Sequence, residues 1–194
     1  MPPTPIAILL VSGSLRADST NTALLRTARA MTPEGVVTLL YEGLGDLPHF
    51  NPDDDVEGEP LPPAAADLRA ILDECDAILF STPEYAGGLP GSFKNLLDWT
   101  VGGGTLDKPV AWVNASGPTR GTGAEDALRS VLTYTNADIV TGACTRVPVA
   151  RSGIDKDGLV ADARARSGVV WVLKALEEYV RAKRIEKAEQ ERRG

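Results

Sequence analysis

The segment Ile6-Ala7-Ile8-Leu9-Leu10-Val11 is followed by the polar stretch Ser12-Gly13-Ser14-Leu15-Arg16-Ala17-Asp18-Ser19 and then by a helical pattern over residues 20–31. The first segment is apolar at every position, as in a parallel strand that helices cover on both faces. Apolar residues recur on one side of the helical segment. Together the strand, the turn and the helix predict the first unit of an α/β fold.

The same alternation continues along the chain. Further strands are predicted over residues 36–41, 76–82, 109–115 and 138–149, and further helices over residues 64–74, 92–101, 124–134 and 160–193. Gly142 predicts a bend that interrupts the last strand. Strands that alternate with helices predict a parallel sheet with helices on both faces. Five strands fit a flavodoxin-like three-layer sandwich of order 2-1-3-4-5.

No repeat or linker divides the 194 residues, a length that suits one domain. We therefore expect a single flavodoxin-like domain over residues 1–194, whose C-terminal helix is long enough to extend beyond the core. Residues 42–63 are rich in Gly, Pro and Asp and are predicted to form an irregular loop. Loops of this length in a compact domain are often functional or mobile.

The composition limits the possible partners. The formal net charge of −7 disfavours nucleic acid, and the basic residues of segment 181–193 alternate with glutamates, as on a solvated helix end. No apolar run is long enough to span a bilayer, and the first residues lack the pattern of a signal peptide. A cytoplasmic protein that binds neither nucleic acid nor membrane is expected.

The few potential metal ligands are scattered. Cys75 and Cys144 lie far apart in sequence, and His49 is the only histidine. This spacing predicts no metal site. The cysteines are interpreted as small buried side chains in a reducing compartment, and His49 as a loop residue without a catalytic role.

The first turn has the chemistry of a phosphate site. It follows a strand and opens a helix, whose free N–H groups favour an anion. Because it has a single glycine, Gly13, it matches neither the dinucleotide-binding nor the nucleoside-triphosphate-binding glycine pattern, and it suits a terminal phosphate monoester. The candidate ligands are Ser14, Arg16, Ser19, Asn21 and Thr22. In the alternative interpretation, Ser19 or Thr20 only caps the helix and Arg16 is solvated.

Two further turns follow strands at the same predicted sheet edge. In residues 83–91 the glycines allow the backbone to approach a flat ligand such as a flavin, and Tyr85 could pack near it. The alternative is an ordinary turn with a buried tyrosine. Residues 115–123 contain several glycines and could approach the other side of the same ring.

These turns resemble the NADPH-dependent FMN reductase family, which includes flavin, quinone, chromate and azo-dye reductases. The family turn GSLRxxSxN is matched over residues 13–21, and its segment PEYNxxxPGxLKNxxDW is matched in large part over residues 83–99. The loop at residues 47–52 also resembles the family's loop after the second strand. The similarity extends from the first strand to about the fifth.

The resemblance implies noncovalent FMN as cofactor, NADPH or NADH as electron donor, and a small-molecule electron acceptor. By the same resemblance, one set of residues holds the phosphate and two sets face the ring. The phosphate set is Ser14, Arg16, Ser19, Asn21 and Thr22, and the ring sets are Pro83, Glu84, Tyr85, Ala86 and Gly87 on one side and Ser116 and Gly117 on the other.

Two positions depart from the family pattern. Ala86 stands where the family usually has Asn, and Pro118 stands where a second Gly is common. Ala86 removes an amide near the ring, and Pro118 removes a backbone donor. Both changes bear on flavin affinity and on the choice of acceptor.

The implied mechanism is an exchange in two steps, in which the nicotinamide cofactor reduces the flavin, leaves, and is replaced by the acceptor. The reactivity belongs to the cofactor, so no catalytic residue is assigned, while Tyr85 and Arg120 are candidates for steering the substrate. Arg120 is also a candidate partner for the 2′-phosphate of NADPH.

Two alternatives stay open. The first is a flavodoxin-type electron carrier that is not an enzyme, against which Arg16 counts. The second is a redox-sensing module, which Ala86 and Pro118 favour.

Family members commonly form dimers or dimers of dimers, and this predicts a homodimer or homotetramer. The predicted helix over residues 92–101 has an apolar side that could supply the subunit contact. Its members are Phe93, Leu96, Leu97 and Trp99.

Overall fold

The computed structural model describes residues 4–101, 103–117 and 120–193. Five α-helices and six strands alternate along this part of the chain, except that the last two strands are consecutive. The strands are β1 (Ile6–Ser12), β2 (Val36–Tyr41), β3 (Ala77–Ser81), β4 (Pro109–Asn114), β5 (Asp138–Ile139) and β6 (Thr145–Arg146). The helices are α1 (Thr20–Ala30), α2 (Pro63–Glu74), α3 (Gly91–Trp99), α4 (Thr122–Tyr134) and α5 (Ala163–Arg193).

All strand pairs are parallel, and the order is β2-β1-β3-β4-β5, with β6 also paired to β4. The predicted flavodoxin-like order is therefore confirmed. The last predicted strand is interrupted where the bend was expected. A 3₁₀ turn at Thr141–Ala143 separates β5, which pairs with the start of β4, from β6, which pairs with its end.

The two faces of the sheet support separate apolar cores, as alternation along β1 requires. Ile8 and Leu10 belong to the core under α1 and α5. Leu9 and Val11 belong to the core under α2, α3 and α4. Because both faces of β1 are covered, every one of its apolar positions is buried except the half-buried Ala7. This is the three-layer arrangement that the sequence predicts.

Helix α5 begins later than the sequence pattern indicated. The Asp162 carboxylate accepts a hydrogen bond of 2.8 Å from the N–H of Ala165, which caps the helix start. Val160, predicted to lie in the helix, instead forms a β-bridge with Ile154 and is buried. The far end of α5 is exposed over residues 184–192.

The apolar side of α3 does not provide a subunit contact, and that expectation is wrong. Its four large side chains are at most 1% exposed and pack beneath the sheet. They are Phe93, Leu96, Leu97 and Trp99. A surface that is already covered within one chain cannot bind a second copy. None of the described helices is long and apolar enough to cross a membrane.

Candidate active site

The first turn joins β1 to α1 and is shaped by its own hydroxyl groups. Ser19 caps α1, and its Oγ accepts a hydrogen bond of 3.3 Å from the N–H of Thr22. The hydroxyls of Ser12 and Thr22 lie 2.7 Å apart. The Oγ of Ser14 accepts from the N–H of Arg16 at 3.3 Å. The capping proposed for Ser19 is therefore real, and it leaves the hydroxyls of Ser14 and Thr22 along one wall of a cavity.

That cavity, of about 220 Å³, is suited to an anion. Two arginines, Arg16 and Arg26, line it with the hydroxyls of Ser14 and Thr22, against one acidic side chain, Glu42. Among the described residues no carboxylate pairs with Arg16, so its guanidinium is available for a phosphate. Hydroxyls and an arginine beside a helix N-terminus are the donor set that a phosphate monoester requires. The residues present therefore fit the phosphate of FMN.

Tyr41 forms another part of the same cavity wall. Burial raises its pKa to about 12, with a further increase from Asp46 and Asp67. The phenol therefore stays protonated at neutral pH and adds no negative charge to a site for an anion.

Asn21 lies deeper than the other phosphate candidates. It is 5% exposed, and its Oδ1 accepts a hydrogen bond of 2.9 Å from the hydroxyl of Ser81 on β3. This contact links α1 to the neighbouring strand. A contact between Asn21 and phosphate stays a prediction.

Gly13 allows the first turn to approach the second. A Cβ at this position would lie 2.3 Å from Oγ1 of Thr82, just after β3, and 2.9 Å from the ring of Phe93. Any side chain at Gly13 would therefore push the two turns apart.

The second turn is a tight two-residue reversal. Tyr85 and Gly88 exchange backbone hydrogen bonds of 3.0 and 3.1 Å, and φ is +50° at Ala86 and +77° at Gly87. Positive φ at both central residues is the property of a type I′ turn. Tyr85 is 51% exposed at the rim, so the alternative of a buried tyrosine is wrong.

The second turn is fastened to the start of α4. Oε2 of Glu84 accepts a hydrogen bond of 3.1 Å from the N–H of Ala124. A carboxylate is favourable at the positive end of a helix dipole. A Cβ at Gly123 would lie 2.3 Å from the carbonyl oxygen of Gly87, so only glycine allows this approach. The side chain of Glu84 thus binds protein, and the backbone of this turn is what remains for a flat ligand.

The third turn follows β4. Oδ1 of Asn114 accepts a hydrogen bond of 2.8 Å from the N–H of Ser116. Open space surrounds the position that a Cβ at Gly117 would occupy. Arg120 is exposed beside them. Pro118, one of the two departures from the family pattern, lies outside the described residues.

Sequence reasoning missed what holds the long loop before α2. The carbonyl oxygen of Pro48 accepts hydrogen bonds from Nδ2 of Asn95 at 2.8 Å and from Nε1 of Trp99 at 2.9 Å. Phe50 packs edge-on against Trp99 at 5.0 Å, and its N–H donates to Oδ1 of Asn95. Asn95 and Trp99 are four residues apart and share one helix face, a spacing that could have indicated this contact. His49, which lies between Pro48 and Phe50 in the loop, is exposed.

The cysteines lie away from these turns. Burial raises the pKa of Cys75 and that of Cys144, so both thiols stay protonated at neutral pH. Among the described residues, no group of three His, Cys, Asp or Glu side chains could hold a metal ion.

The sheet order, the anion cavity and the two turns beside it define a flavodoxin-like flavoprotein. Residues 6–150 match the sequence model of the NADPH-dependent FMN reductase family, and the chain belongs to that family. The resemblance of the motifs is therefore confirmed. So is the predicted class, an oxidoreductase with FMN as cofactor and a reduced nicotinamide as donor.

Known proteins support the same assignment over nearly the whole chain. The sequence is 32% identical to an NAD(P)H-dependent FMN reductase of Pseudomonas aeruginosa, over 91% of this chain and 96% of that protein. It is 34% identical to a quinone reductase of Pseudomonas putida, over 76% and 77% of the two chains. The solved structure of FerB, a flavoenzyme NAD(P)H:(acceptor) oxidoreductase from Paracoccus denitrificans, aligns with a TM-score of 0.71 at 26% identity, covering 89% of this chain and 98% of FerB.

Proposed function

We propose that this protein transfers electrons from NAD(P)H, through noncovalently bound FMN, to quinones. Two features of the described residues carry the proposal: in the first turn Arg16 has no carboxylate partner, and in the second turn Tyr85 is exposed. Arg16 binds the cofactor phosphate, and Tyr85 contacts the donor or acceptor that stacks on the ring. Several relatives are named quinone reductases, which favours quinones over chromate or azo compounds.

The protein's own residues bind and orient. Ser14, Arg16 and Thr22 hold the phosphate, while Ser19 and Asn21 keep the turn and α1 in place. The backbone from Pro83 to Gly87 lies along one side of the ring, and Ser116 and Gly117 lie along the other. When bound, FMN supplies the ability to accept a hydride and pass on two electrons.

The rim of the site favours an exchange in two steps. Tyr85 and Arg120 are both exposed, so a donor and then an acceptor can contact them as each approaches the ring in turn. Tyr85 offers an aromatic surface to a nicotinamide or a quinone. Arg120 offers a charge to a phosphate of the donor.

The test is an anaerobic titration of the FMN-loaded protein. After excess FMN is removed, NADPH should bleach the visible absorbance of the retained flavin within seconds, and benzoquinone should restore it. Retained flavin that NADPH does not reduce would instead indicate an electron carrier or a sensor. Flavin that is reduced but passes no electrons to benzoquinone would contradict the proposed acceptor class.

Three further properties belong to the proposal: a single domain, a cytoplasmic location, and a homodimer or homotetramer. Two apolar side chains on the edge strand β2, Val37 and Leu39, are 55% and 49% exposed beside an apolar groove. They provide a surface that a second copy could cover. Light scattering at micromolar concentration tests the oligomer, and a monomer would contradict it.

A further inference from the structure

Arg146, on the short strand β6, reaches across to the back of the third turn. Its Nη1 donates hydrogen bonds to the carbonyl oxygens of Gly117 at 3.2 Å and Arg120 at 3.0 Å. Its Nη2 donates to Oε2 of Glu125 at 2.7 Å. The arginine side chain is 24% exposed, and the glutamate side chain is 21% exposed. One guanidinium thus binds two carbonyls of the turn and a carboxylate of α4.

Glu125 connects this arginine to the other end of the turn. Its second oxygen, Oε1, accepts a hydrogen bond of 2.6 Å from Nδ2 of Asn114. Oδ1 of Asn114 in turn accepts from the N–H of Ser116. The turn is therefore held at its start by Asn114 and further along by Arg146, with Glu125 as the common partner.

The backbone at Gly117, Arg120 and Gly121 of the third turn is in contact with Asn114 and Arg146 of the same network. Gly121, at the end of the turn, has φ of +84°, and a Cβ there would lie 2.5 Å from Nδ2 of Asn114. Because Arg146 binds the carbonyls of Gly117 and Arg120, these oxygens are directed toward β6. Within the described residues the N–H of Gly117 donates no hydrogen bond, and the space beside its Cα is open. This donor remains available to a ligand.

We propose that Arg146 is a positioning residue that fixes the Ser116–Gly117 backbone of the third turn where it binds the flavin ring, and this rests on the proposed function. A planar guanidinium can satisfy two carbonyls and a carboxylate at once, whereas a lysine ammonium lacks that fork. Loss of Arg146 leaves the carbonyls of the turn without this partner and Glu125 without its counterion. Of the contacts described above, only the hydrogen bond from the N–H of Ser116 to Asn114 then holds the Ser116–Gly117 backbone in place.

Binding of FMN and of riboflavin separates ring contacts from phosphate contacts, because the two ligands differ only in the phosphate. Arg146→Gln should weaken the binding of both ligands by about tenfold, the size expected for losing one or two hydrogen bonds that order a site. The affinities of Arg146→Lys should lie between those of Arg146→Gln and the wild type. Arg16→Gln should weaken the binding of FMN and leave that of riboflavin unchanged. Arg164→Gln removes an exposed arginine from the first turn of α5 and should change the binding of neither ligand.

Fluorescence quenching gives the dissociation constants, and the unfolding temperature of each flavin-free variant shows that it is folded. The inference is overturned if Arg146→Gln changes riboflavin binding by less than twofold, weakens FMN alone, or behaves like Arg164→Gln. A wild type that binds neither FMN nor riboflavin would instead overturn the proposed function. An unchanged ratio of the two dissociation constants separates a ring effect from a phosphate effect, and an unchanged unfolding temperature of the flavin-free variant separates it from a general loss of stability.

Discussion

Ala86 adopts a backbone conformation that its side chain disfavours. It occupies the first central position of the Tyr85–Gly88 reversal with φ of +50°. For a residue with a Cβ this region is less favourable by about 1–2 kcal/mol, whereas Asn tolerates it and Asn-Gly is the preferred pair in such turns. Ala86→Asn should therefore raise the free energy of unfolding by about 0.5–1 kcal/mol.

Chemical denaturation of the flavin-free protein measures this change. Ala86→Val serves as the matched control, because a β-branched residue is strained at positive φ and should lower stability. If Ala86→Asn is no more stable than the wild type, the turn relaxes in solution. The same variant introduces an amide into the second turn, so its quinone KM shows whether an amide at this position affects the choice of acceptor.

Arg120 is the residue on which a preference for NADPH would depend. It is exposed at the rim, and its backbone is held by Arg146 through the carbonyl oxygen. Arg120→Gln should lower kcat/KM for NADPH by about tenfold and leave NADH within twofold, since only NADPH carries the 2′-phosphate. Steady-state kinetics with both donors measure the ratio. An equal loss with the two donors would assign Arg120 to the turn's shape instead of to the phosphate.

At the residue scale, sequence reasoning succeeded where contacts are local. The cap that Ser19 forms on α1 joins residues three positions apart, so the spacing of the motif was enough to indicate it. Contacts of Ser14, Ser19 and Thr22 with a phosphate stay a prediction. Sequence reasoning failed where the partner is distant. Asn21 meets Ser81 and Arg146 meets Glu125 only because strands pair in a given register, which one sequence does not reveal.

At the scale of elements, the loop between β2 and α2 is held by the second motif. Trp99 donates its ring N–H to the carbonyl oxygen of Pro48, and Phe50 packs on its ring. Arg69 adds a bidentate ion pair with Asp55, at 2.8 and 2.6 Å. These contacts hold the loop against α2 and α3 at Pro48, Phe50 and Asp55.

Trp99→Phe should loosen the loop between β2 and α2 while keeping an aromatic ring in the core. We expect a loss of about 1–3 kcal/mol in the free energy of unfolding from the lost hydrogen bond and the smaller ring. Faster proteolysis should be confined to residues 47–62. Trp171→Phe is the control, because Trp171 on α5 is 52% exposed and should have little effect. Proteolysis that is equally fast in both variants would contradict the role of Trp99.

The interrupted fifth strand shows which features of an element the sequence pattern predicts and which it does not. Gly142 predicted the bend, and the structure has a 3₁₀ turn there. Strand propensity does not predict that β5 and β6 both pair with β4. Nor does it predict that β6 places Arg146 beside the third turn. Such placement depends on tertiary packing, which overrides local preference in short strands.

At the scale of the whole molecule, α5 connects elements that are distant in sequence. Lys183 pairs with Asp138 at 2.6 Å, and Arg184 pairs with Asp76 at 2.6 Å. Charge patterning predicted a solvated helix end, and the residues are indeed partly exposed. Each such pair contributes about 0–1 kcal/mol, so they orient the helix more than they stabilise the fold. The carboxylates that receive these cations are too far away in sequence to be anticipated.

The pH dependence of stability provides a last test, through Tyr41. Its pKa rises from 10.0 to about 12 on folding. Between these values the folded protein keeps a proton that the unfolded chain releases, so the free energy of unfolding falls as pH rises above about 10. Tyr41→Phe has no such proton, and its stability should fall less steeply over the same range. Urea denaturation between about pH 9 and 11 compares the two slopes, and parallel curves would show that Tyr41 ionises in the folded protein as readily as in the unfolded chain.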